Sequence, residues 1–444
     1  MLAQALRRIR LATAALLAFA WTAPAGIAAE RPNVLIIVSD DQGWNDIGYH
    51  GSEIRTPNLD RLATESIRLE QHYVFPMCSP TRTALMSGRN PSRYGVLGAT
   101  NSQVFPLGTV TLAGALGSLG YETAITGKWH LGSKPEWGPR KYGFDFSYGI
   151  LAGGIDQYTH RYKAGPYRRT WHRNEQYVDE EGHSTDLFAA EAIRFIEKER
   201  RGPFFLYLPF TAVHIPLQEP DRWLGLYDGV IDEPSRKAFA AAATHMDDAI
   251  GRVLAAVDRT GQRERTLVIF FSDNGGQKSW TSTEQYEGNY PPCPVLGDNR
   301  PLRGWKGEVY EGAIRVPALV HWQGTLAPGK LDAVLSAMDW FPTLAALTGY
   351  QPEQDLRWDG KDVWPLLTGQ PEVGPRTLYW NRGGLVALRH GDWKLVGRRG
   401  QEWKYELYDL ASDPHETQDV AGRFPDRLAE LKERLAEQQR LDPR

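Results

Sequence analysis

Residues able to do acid–base or metal chemistry follow four short apolar runs of this 444-residue chain. They are Asp40 and Asp41 after residues 33–39, Lys128 and His130 after 121–126, His214 after 204–208, and Asp273 and Asn274 after 266–271. Apolar runs bounded by polar residues predict strands buried on both faces of a parallel sheet, which binds ligands at the carboxyl ends of its strands. We therefore expect the four segments to meet at one edge, although each alone is typical of a turn.

The acidic members of this group suit a hard cation. Asp40, Asp41 and Asp273 supply carboxylates and Asn274 supplies an amide oxygen. An all-oxygen set of this kind is what Ca²⁺ and Mg²⁺ prefer, and a cation would relieve the repulsion between the two adjacent carboxylates. The alternatives are a turn with solvated carboxylates at Asp40–Asp41 and a plain glycine turn at residues 273–276.

One of the two cysteines lies where an anion would be stabilised. Ser79-Pro80 opens a helical run directly after Cys78, which predicts Cys78 at a helix N-terminus with Arg82 one turn further on. Three other interpretations remain open: a buried structural cysteine, a disulfide to Cys293, and a plain thiolate nucleophile, for which no histidine base is identifiable nearby. Two cysteines alone cannot form a four-ligand zinc site.

The apolar runs alternate with helical patterns, which predicts an α/β fold with a large, mostly parallel sheet sandwiched by helices. Helices are expected at residues 58–67, 111–119, 185–200 and 235–258. Residues 130–182 and 277–303 lack clear periodicity and are expected to be long surface loops. We assign residues 30–374 to a catalytic domain. Short strand-like runs and a charged helical run assign residues 375–444 to a small C-terminal domain with an antiparallel sheet and a helix.

The composition and the N-terminal segment limit the classes of function and the cellular locations that this protein can have. A hydrophobic content of 41%, a charged content of 24% and a net charge of −3 are those of a globular protein, and they argue against a general nucleic-acid binder. Residues 1–29 have a basic start, an apolar run and small residues at the end, the pattern of a cleaved signal peptide. We expect an exported protein, periplasmic or secreted (or lysosomal in a eukaryote), without stable membrane insertion; an uncleaved anchor is the alternative.

The sequence Cys78-Ser79-Pro80-Thr81-Arg82 matches the C-x-P-x-R signature of sulfatases, and further segments resemble that family in the same order. These segments are residues 31–41, 127–132 (GKWHLG), 272–276 (SDNGG), 304–317 and 389–394. The chain is identified as similar to the type I, formylglycine-dependent sulfatases. The resemblance implies an alkaline-phosphatase-like fold and the hydrolysis of sulfate esters.

The resemblance also implies a covalent mechanism. A maturation enzyme that acts on residues 78–82 would oxidise Cys78 to Cα-formylglycine. One hydroxyl of the aldehyde hydrate would attack sulfur and form a covalent sulfo-enzyme intermediate, and the second hydroxyl would lose its proton to expel sulfate. Asp40, Asp41, Asp273 and Asn274, with the modified residue 78, would hold Ca²⁺ or Mg²⁺.

The remaining motif residues take their expected roles from the same resemblance. Lys128 and Lys306 would surround the sulfate with positive charge. Arg82 would steady the hydrate and the metal carboxylates. His130 would remove the second proton of the hydrate, and His214 would contact sulfate and help to protonate the leaving alcohol together with Lys306.

Within the family, residues 43–52 and 301–306 look most like arylsulfatase B, the N-acetylgalactosamine-4-sulfatase group. This favours a sulfated carbohydrate as substrate, such as a glycosaminoglycan-derived N-acetylgalactosamine sulfate. The segment between Asn274 and Lys306, which contains Cys293, looks longer than its counterpart there and is expected to border the site. Tryptophans in residues 130–182 and 277–305 are candidates for stacking on the sugar.

Two other functions fit parts of the sequence. A phosphate or phosphonate ester hydrolase of the same superfamily could carry the same signature. A non-enzymatic, exported glycan-binding protein would leave Cys78 unmodified. A zinc hydrolase is disfavoured because the chain has no H-E-x-x-H motif and no Cys/His cluster.

Overall fold

The structure, a computed structural model, describes residues 31–281, 286 and 290–443, so the predicted signal peptide at residues 1–29 lies outside the described residues. Its strands are β1 (Asn33–Ser39), β2 (Ile67–Leu69), β3 (His72–Tyr73), β4 (Glu122–Lys128), β5 (Phe146–Ile150), β6 (Trp171–Arg173), β7 (Gln176–Tyr177), β8 (Phe204–Pro209), β9 (Thr266–Ser272), β10 (Ala318–His321), β11 (Gly329–Leu331), β12 (Leu335–Ser336), β13 (Thr377–Asn381), β14 (Leu385–His390), β15 (Trp393–Arg399) and β16 (Trp403–Asp409).

The helices alternate with the strands of the first sheet and then become sparse. They are α1 (Pro57–Thr64), α2 (Cys78–Ser87), α3 (Leu112–Ser118), α4 (Ser184–Glu197), α5 (Asp221–Leu224), α6 (Pro234–Arg259), α7 (Glu311–Ile314), α8 (Trp340–Thr348), α9 (Trp364–Leu367) and α10 (Pro425–Arg440). Short 3₁₀ turns lie at Gly48–His50, Pro91–Tyr94, Pro135–Trp137, Pro139–Tyr142, Gly225–Tyr227, Arg263–Arg265 and Ala337–Asp339.

The main sheet has ten strands in the order β11-β2-β10-β9-β1-β8-β4-β5-β6-β7. Its centre is parallel: β1 pairs with β8 and β9, and β4 pairs with β8 and β5. Strand β10 pairs antiparallel with β9, and β6 pairs antiparallel with β5. The prediction of a large, mostly parallel sheet is confirmed, and the four apolar runs are its strands β1, β4, β8 and β9.

Both faces of this sheet are covered by helices, because alternate residues of a strand point to opposite faces. Leu35 and Ile37 of β1 pack in one core with residues of α4 and α6, such as Phe188. Val34 and Ile36 pack in a second core with residues of α2, α3 and α8. This is the sandwich that the alternating pattern predicts.

Two expectations about local structure are wrong in part. Residues 130–182 are not only surface loops, since Phe146–Ile150 is a mostly buried strand of the main sheet. Its Ser and Gly interrupt the apolar run, which is why the pattern does not reveal it. The helix expected at residues 58–67 ends at Thr64, and Ile67 begins β2.

A second, antiparallel sheet has the strand order β13-β14-β15-β16, and α10 covers one of its faces. Leu388 and Leu395 pack against Leu431 and Leu435 of this helix. The other face packs on the main body through Trp380 and its neighbours. The predicted small sheet with one helix is therefore confirmed, while the boundary at residues 374 and 375 stays a prediction.

In the part of the chain that the structure describes, none of the helices combines the length and the apolarity that a bilayer crossing requires.

A buried ionic cluster joins the small sheet to the main body of the protein. Lys394 of β15 lies with its Nζ 2.8 Å from Glu311 Oε1 and 2.8 Å from Glu416 Oε1, and all three side chains are fully buried. Glu311 also accepts a hydrogen bond of 2.6 Å from Tyr73 Oη. Burial raises the pKa of Glu416 to about 7, so Lys394 supplies the positive charge that makes this cluster tolerable.

We expect Lys394→Met to lower the free energy of unfolding by about 3–5 kcal/mol, because two buried carboxylates lose their cation. The control is Lys404→Met, which removes an exposed lysine from the same sheet and should cost less than about 0.5 kcal/mol. Urea denaturation at neutral pH measures both values. Equal effects of the two substitutions would contradict the role assigned to Lys394.

Candidate active site

The four predicted segments meet at the carboxyl edge of the parallel strands. Asp40 and Asp41 follow β1, Asp273 and Asn274 follow β9, and Asn274 Nδ2 donates a hydrogen bond of 2.8 Å to Asp41 Oδ1. Lys128 ends β4 and reaches Asp40 across the edge. Because β1 lies between β9 and β8, its two carboxylates are at the middle of the edge.

Three buried ion pairs bind these segments to one another. Lys128 Nζ lies 2.5 Å from Asp40 Oδ2, and Lys306 Nζ lies 2.6 Å from Asp41. Arg82 Nη2 lies 2.7 Å from Asp273 Oδ2, and the guanidinium also donates a hydrogen bond of 2.7 Å to the carbonyl of Lys128. The side chains of all three pairs are almost completely buried, so each carboxylate has a specific cation in place of solvent.

The two adjacent aspartates have opposite pKa shifts. Burial, with repulsion from Asp273, raises the pKa of Asp40 to about 8 despite Lys128. Burial also acts to raise the pKa of Asp41, but Lys306 and His214 outweigh it and lower that pKa to about 2. Without a metal ion the carboxyl group of Asp40 is therefore largely protonated near neutral pH, and a divalent cation bound at this edge would favour its ionised form.

Cys78 is the first residue of α2 and lies buried beside these carboxylates. Ligand atoms of Cys78, Asp40 and Asp273 lie within 4.8 Å of one another. Its thiol is free, as is that of Cys293, so the alternative of a disulfide between them is not present.

Arg82, the expected source of positive charge for residue 78, is bound to Asp273 and also interacts electrostatically with Cys78. Burial raises the pKa of the Cys78 thiol, and Lys128 and Lys306 only partly oppose this. An unmodified Cys78 is thus a neutral thiol and a poor nucleophile near neutral pH.

His130 and His214 face the same cavity as Cys78. Burial, with the nearby Lys128, holds the pKa of His130 well below its usual range, and burial with Lys306 does the same for His214. His214 Nδ1 lies 2.6 Å from the carbonyl of Ile215, so in the neutral ring this nitrogen carries the proton. Its Nε2 is then a free acceptor, 3.8 Å from Asp41.

The backbone at the site is held in uncommon conformations. Asp41 has φ 65° and His130 has φ 55°, the left-handed region that non-glycine residues rarely adopt. Gly153 packs against the His130 ring so closely that a Cβ there would lie 2.4 Å from Nε2. Such conformations persist where the surrounding contacts over-determine them, as at functional sites.

The oxygen atoms present fit a hard divalent cation. Asp40 Oδ1 and Asn274 Oδ1 are buried and have no hydrogen-bond partner, although the protein surrounds both. Orphaned buried oxygens are rare in proteins because they cost free energy. Together with Asp41 and Asp273 they form the all-oxygen donor set that Ca²⁺ or Mg²⁺ requires.

A cavity of about 480 Å³ opens above this edge. Cys78, His130, His214 and Lys306 line it, and Trp280 and Trp305 contribute aromatic surface. The segment after Asn274 borders the site as expected, but Trp171 is buried in the core and lines no part of this cavity. The volume is within the range of sites for small molecules, about 300–1,000 Å³.

Comparison with known proteins identifies the family. A family model described as Sulfatase matches residues 32–350, and one described as N-sulphoglucosamine sulphohydrolase, C-terminal, matches residues 304–441. The chain belongs to the sulfatase family. It is a sulfuric ester hydrolase, with the alkaline-phosphatase-like fold that the sequence predicts.

Two curated relatives and a solved structure are similar to this sulfatase over most of its length. Arylsulfatase J of Mus musculus is 31% identical over 467 aligned residues, covering 92% of this chain and 75% of that protein. N-acetylgalactosamine-6-sulfatase of Mus musculus is 33% identical, covering 83% and 72%. The crystal structure of Ps i-CgsB in complex with k-i-k-neocarrahexaose has a TM-score of 0.83 at 30% identity, covering 93% and 94%.

A second group of ionisable side chains lies outside this sulfatase's cavity. His245 lies with its Nδ1 2.6 Å from Glu219 and its Nε2 3.3 Å from Asp186, and His183 lies 3.5 Å from Glu219. Burial acts to lower the pKa of His245, but Asp186 and Glu219 outweigh it and raise that pKa. The two carboxylates therefore favour the protonated form of the His245 ring.

Sequence reasoning missed several residues of the cavity wall. Tyr162 and Lys163 come from the segment between β5 and β6, and Arg382 comes from the β13–β14 hairpin of the small sheet. No motif marks them, because their position depends on how loops from different elements pack. A turn-rich segment that contains both lysine and aromatic residues is the only signal available for Lys163.

We expect Ca²⁺ to raise the Tm of the metal-free sulfatase, since an ion that binds the folded state stabilises it. Asp40→Asn should abolish this rise and also the calcium measured in the purified protein, because Asp40 Oδ1 loses its charge. The Tm without calcium should also fall, because buried Lys128 loses its carboxylate, so the quantity compared is the calcium-dependent rise in each protein. Thermal denaturation and elemental analysis measure these effects.

Asp186→Asn is the matched control, because it alters a carboxylate of the His183–His245 group. It should leave the calcium-dependent rise in Tm intact. If Asp186→Asn loses the rise and Asp40→Asn keeps it, the cation binds at the His183–His245 group. That result would contradict the assignment of the cation to the edge that contains Asp40.

Proposed function

We propose that this sulfatase hydrolyses sulfate esters of a sulfated carbohydrate, with residue 78 acting as a formylglycine hydrate. The observation that carries the proposal is the position of Cys78. It lies at the first turn of α2, on the cavity wall, with the carboxylates of Asp40 and Asp273 beside it and the charges of Lys128 and Lys306 around it. A neutral buried thiol could not do this chemistry itself, whereas an aldehyde hydrate supplies one hydroxyl to attack sulfur and a second to release sulfate.

The neighbouring side chains are suited to a sulfate group. Lys128 and Lys306 supply positive charge that is fixed by Asp40 and Asp41, so it needs no rearrangement when negative charge develops in the transition state. Bound Ca²⁺ would polarise the sulfate and hold it in place. Arg82 fixes α2, and therefore residue 78, against Asp273.

The two histidines are suited to moving protons. Both are neutral when the cavity holds no ligand, so each can accept a proton. We assign to His130 the removal of the second hydrate proton. We assign to His214 contact with the sulfate, whose negative charge would favour the protonated ring, and, with Lys306, proton donation to the leaving alcohol.

Residues 78–82 are all buried in the folded protein. A maturation enzyme that recognises this motif must therefore reach it before α2 packs into place. We propose that Cys78 is converted in the unfolded chain during export to the periplasm or outside the cell, in accordance with the predicted signal at residues 1–29.

N-acetylgalactosamine sulfate is the first substrate to test. Support comes from the 33% identity to N-acetylgalactosamine-6-sulfatase and from the similarity of residues 43–52 and 301–306 to the 4-sulfatase group. The position of the sulfate then follows from assays of the 4-sulfate and the 6-sulfate side by side.

We expect Cys78→Ala to lower kcat by about 10⁴-fold or more, because it removes the nucleophile. Mass spectrometry of the wild-type peptide that carries residue 78 should find the aldehyde or its hydrate. Cys293→Ala, the other cysteine, should retain turnover because it lies outside the motif. Full activity in a preparation with only unmodified thiol at residue 78 would refute the mechanism.

The alternative of a phosphonate or phosphate ester hydrolase gives a separate prediction. One preparation, assayed with an aryl sulfate and with the matching aryl phosphonate, should show the larger kcat/KM for the sulfate. The expectation rests on the membership of this chain in the sulfatase family, since both esters carry a single negative charge and the cations of the cavity alone do not distinguish them. A larger kcat/KM for the phosphonate would favour the alternative.

A further inference from the structure

The small C-terminal sheet contributes one cation to the active-site cavity. Arg382 lies in the turn between β13 and β14, and its side chain lines the cavity that also exposes Cys78 and Lys306. It passes so close to Gly98 that a Cβ there would lie 3.3 Å from Nη1. The guanidinium therefore belongs to the wall of the cavity, although its strand belongs to another sheet.

The turn that carries Arg382 is firmly held. The backbone N–H of Arg382 donates to the carbonyl of Leu385 at 2.8 Å. Asn381 accepts a hydrogen bond of 2.9 Å from the N–H of Gly383 and donates one of 3.0 Å to Asp442. Asp442 in turn lies 2.6 Å from Arg93. A side chain on so fixed a turn loses little freedom when it binds a ligand.

The charge of Arg382 is not used within the described part of the protein. Lys128, Lys306 and Arg82 each have a carboxylate within 2.7 Å. Across residues 31–281, 286 and 290–443, Arg382 has no carboxylate within ion-pair distance, and its buried Nε has no hydrogen-bond partner. A half-buried guanidinium with free donors that faces a cavity is suited to an oxyanion from outside the protein.

We propose that Arg382 binds a second oxyanion of the substrate, a sulfate or a carboxylate, beside the ester that is cleaved. The inference rests on the proposed function, and it defines the substrate class further: a sugar with two negative groups, or a sulfated sugar joined to a uronic acid. Lys163, whose Nζ lies 5.4 Å from the ring centre of Trp280, adds positive charge to the same cavity. The planar fork of arginine matches both sulfate and carboxylate by paired hydrogen bonds.

The test compares three substrates that share one sulfated sugar: the monosulfated sugar, its disulfated form, and a disaccharide with a uronic acid. For each enzyme the measured quantity is the ratio of kcat/KM for a doubly charged substrate to that for the singly charged one. Arg382→Gln should lower this ratio about 10- to 100-fold, mainly through KM, since bonds to a charged group are lost. Arg382→Lys should restore part of it.

Arg399→Gln is the matched control, because it removes an exposed arginine of the same sheet that does not line the cavity. Its ratio should equal that of the wild type. A lower ratio only with the disulfated sugar identifies a sulfate as the ligand of Arg382, and a lower ratio only with the uronide identifies a carboxylate. An unchanged ratio in Arg382→Gln, or an equal loss in Arg399→Gln, overturns the inference.

A binding measurement separates this inference from the proposed function. If the wild type hydrolyses none of these sulfates, the proposed function fails, but calorimetry can still compare Cys78→Ala with the double variant Cys78→Ala/Arg382→Gln. Weaker binding of a doubly charged sugar by the double variant supports the role of Arg382 without turnover. Equal binding overturns it.

Discussion

The three ion pairs at the carboxyl edge of the main sheet are the constraint on which the rest of this sulfatase depends. Burying Asp40, Asp41 and Asp273 without partners would cost far more than the fold can supply. Lys128 comes from β4, Arg82 from α2 and Lys306 from the segment before α7, so neutralising the acids requires all these elements to be in place together. The charges of the site thus fix its geometry before any substrate arrives.

The same arrangement leaves two buried oxygen atoms at this edge without hydrogen-bond partners among the described residues, and these atoms are available to bind a cation. Asp40 and Asn274 each retain a buried oxygen without a partner, and the pKa of Asp40 is raised to about 8. A divalent cation resolves both problems, since it accepts the free oxygens as ligands and favours the ionised form of Asp40. A structure optimised for stability alone would pair these atoms within the protein, so their availability is itself an argument for function.

This edge could be predicted from the sequence because its polar residues directly follow apolar runs that are recognisable as strands. Asp40 and Asp273 could be placed at the same edge since both follow apolar runs expected to be strands of one parallel sheet, and in the structure these two strands are neighbours. The state of Cys78 could not be predicted from its helix position, because burial outweighs the nearby cations in setting the pKa of the thiol. Arg382 could not be found at all, since its approach to the cavity depends on how one sheet packs on the other.

The packing of the small sheet connects stability with specificity. Lys394 holds β15 against α7 through Glu311, and α7 closely follows the segment that carries Lys306. The adjoining hairpin of the same sheet carries Arg382 into the cavity wall. A shift of this sheet would therefore move Arg382 while the carboxylates of the edge, which follow strands of the main sheet, stayed in place. The two sheets thus contribute differently to the cavity: the parallel sheet positions the carboxylates and Lys128, and the antiparallel sheet adds the guanidinium of Arg382 to the wall.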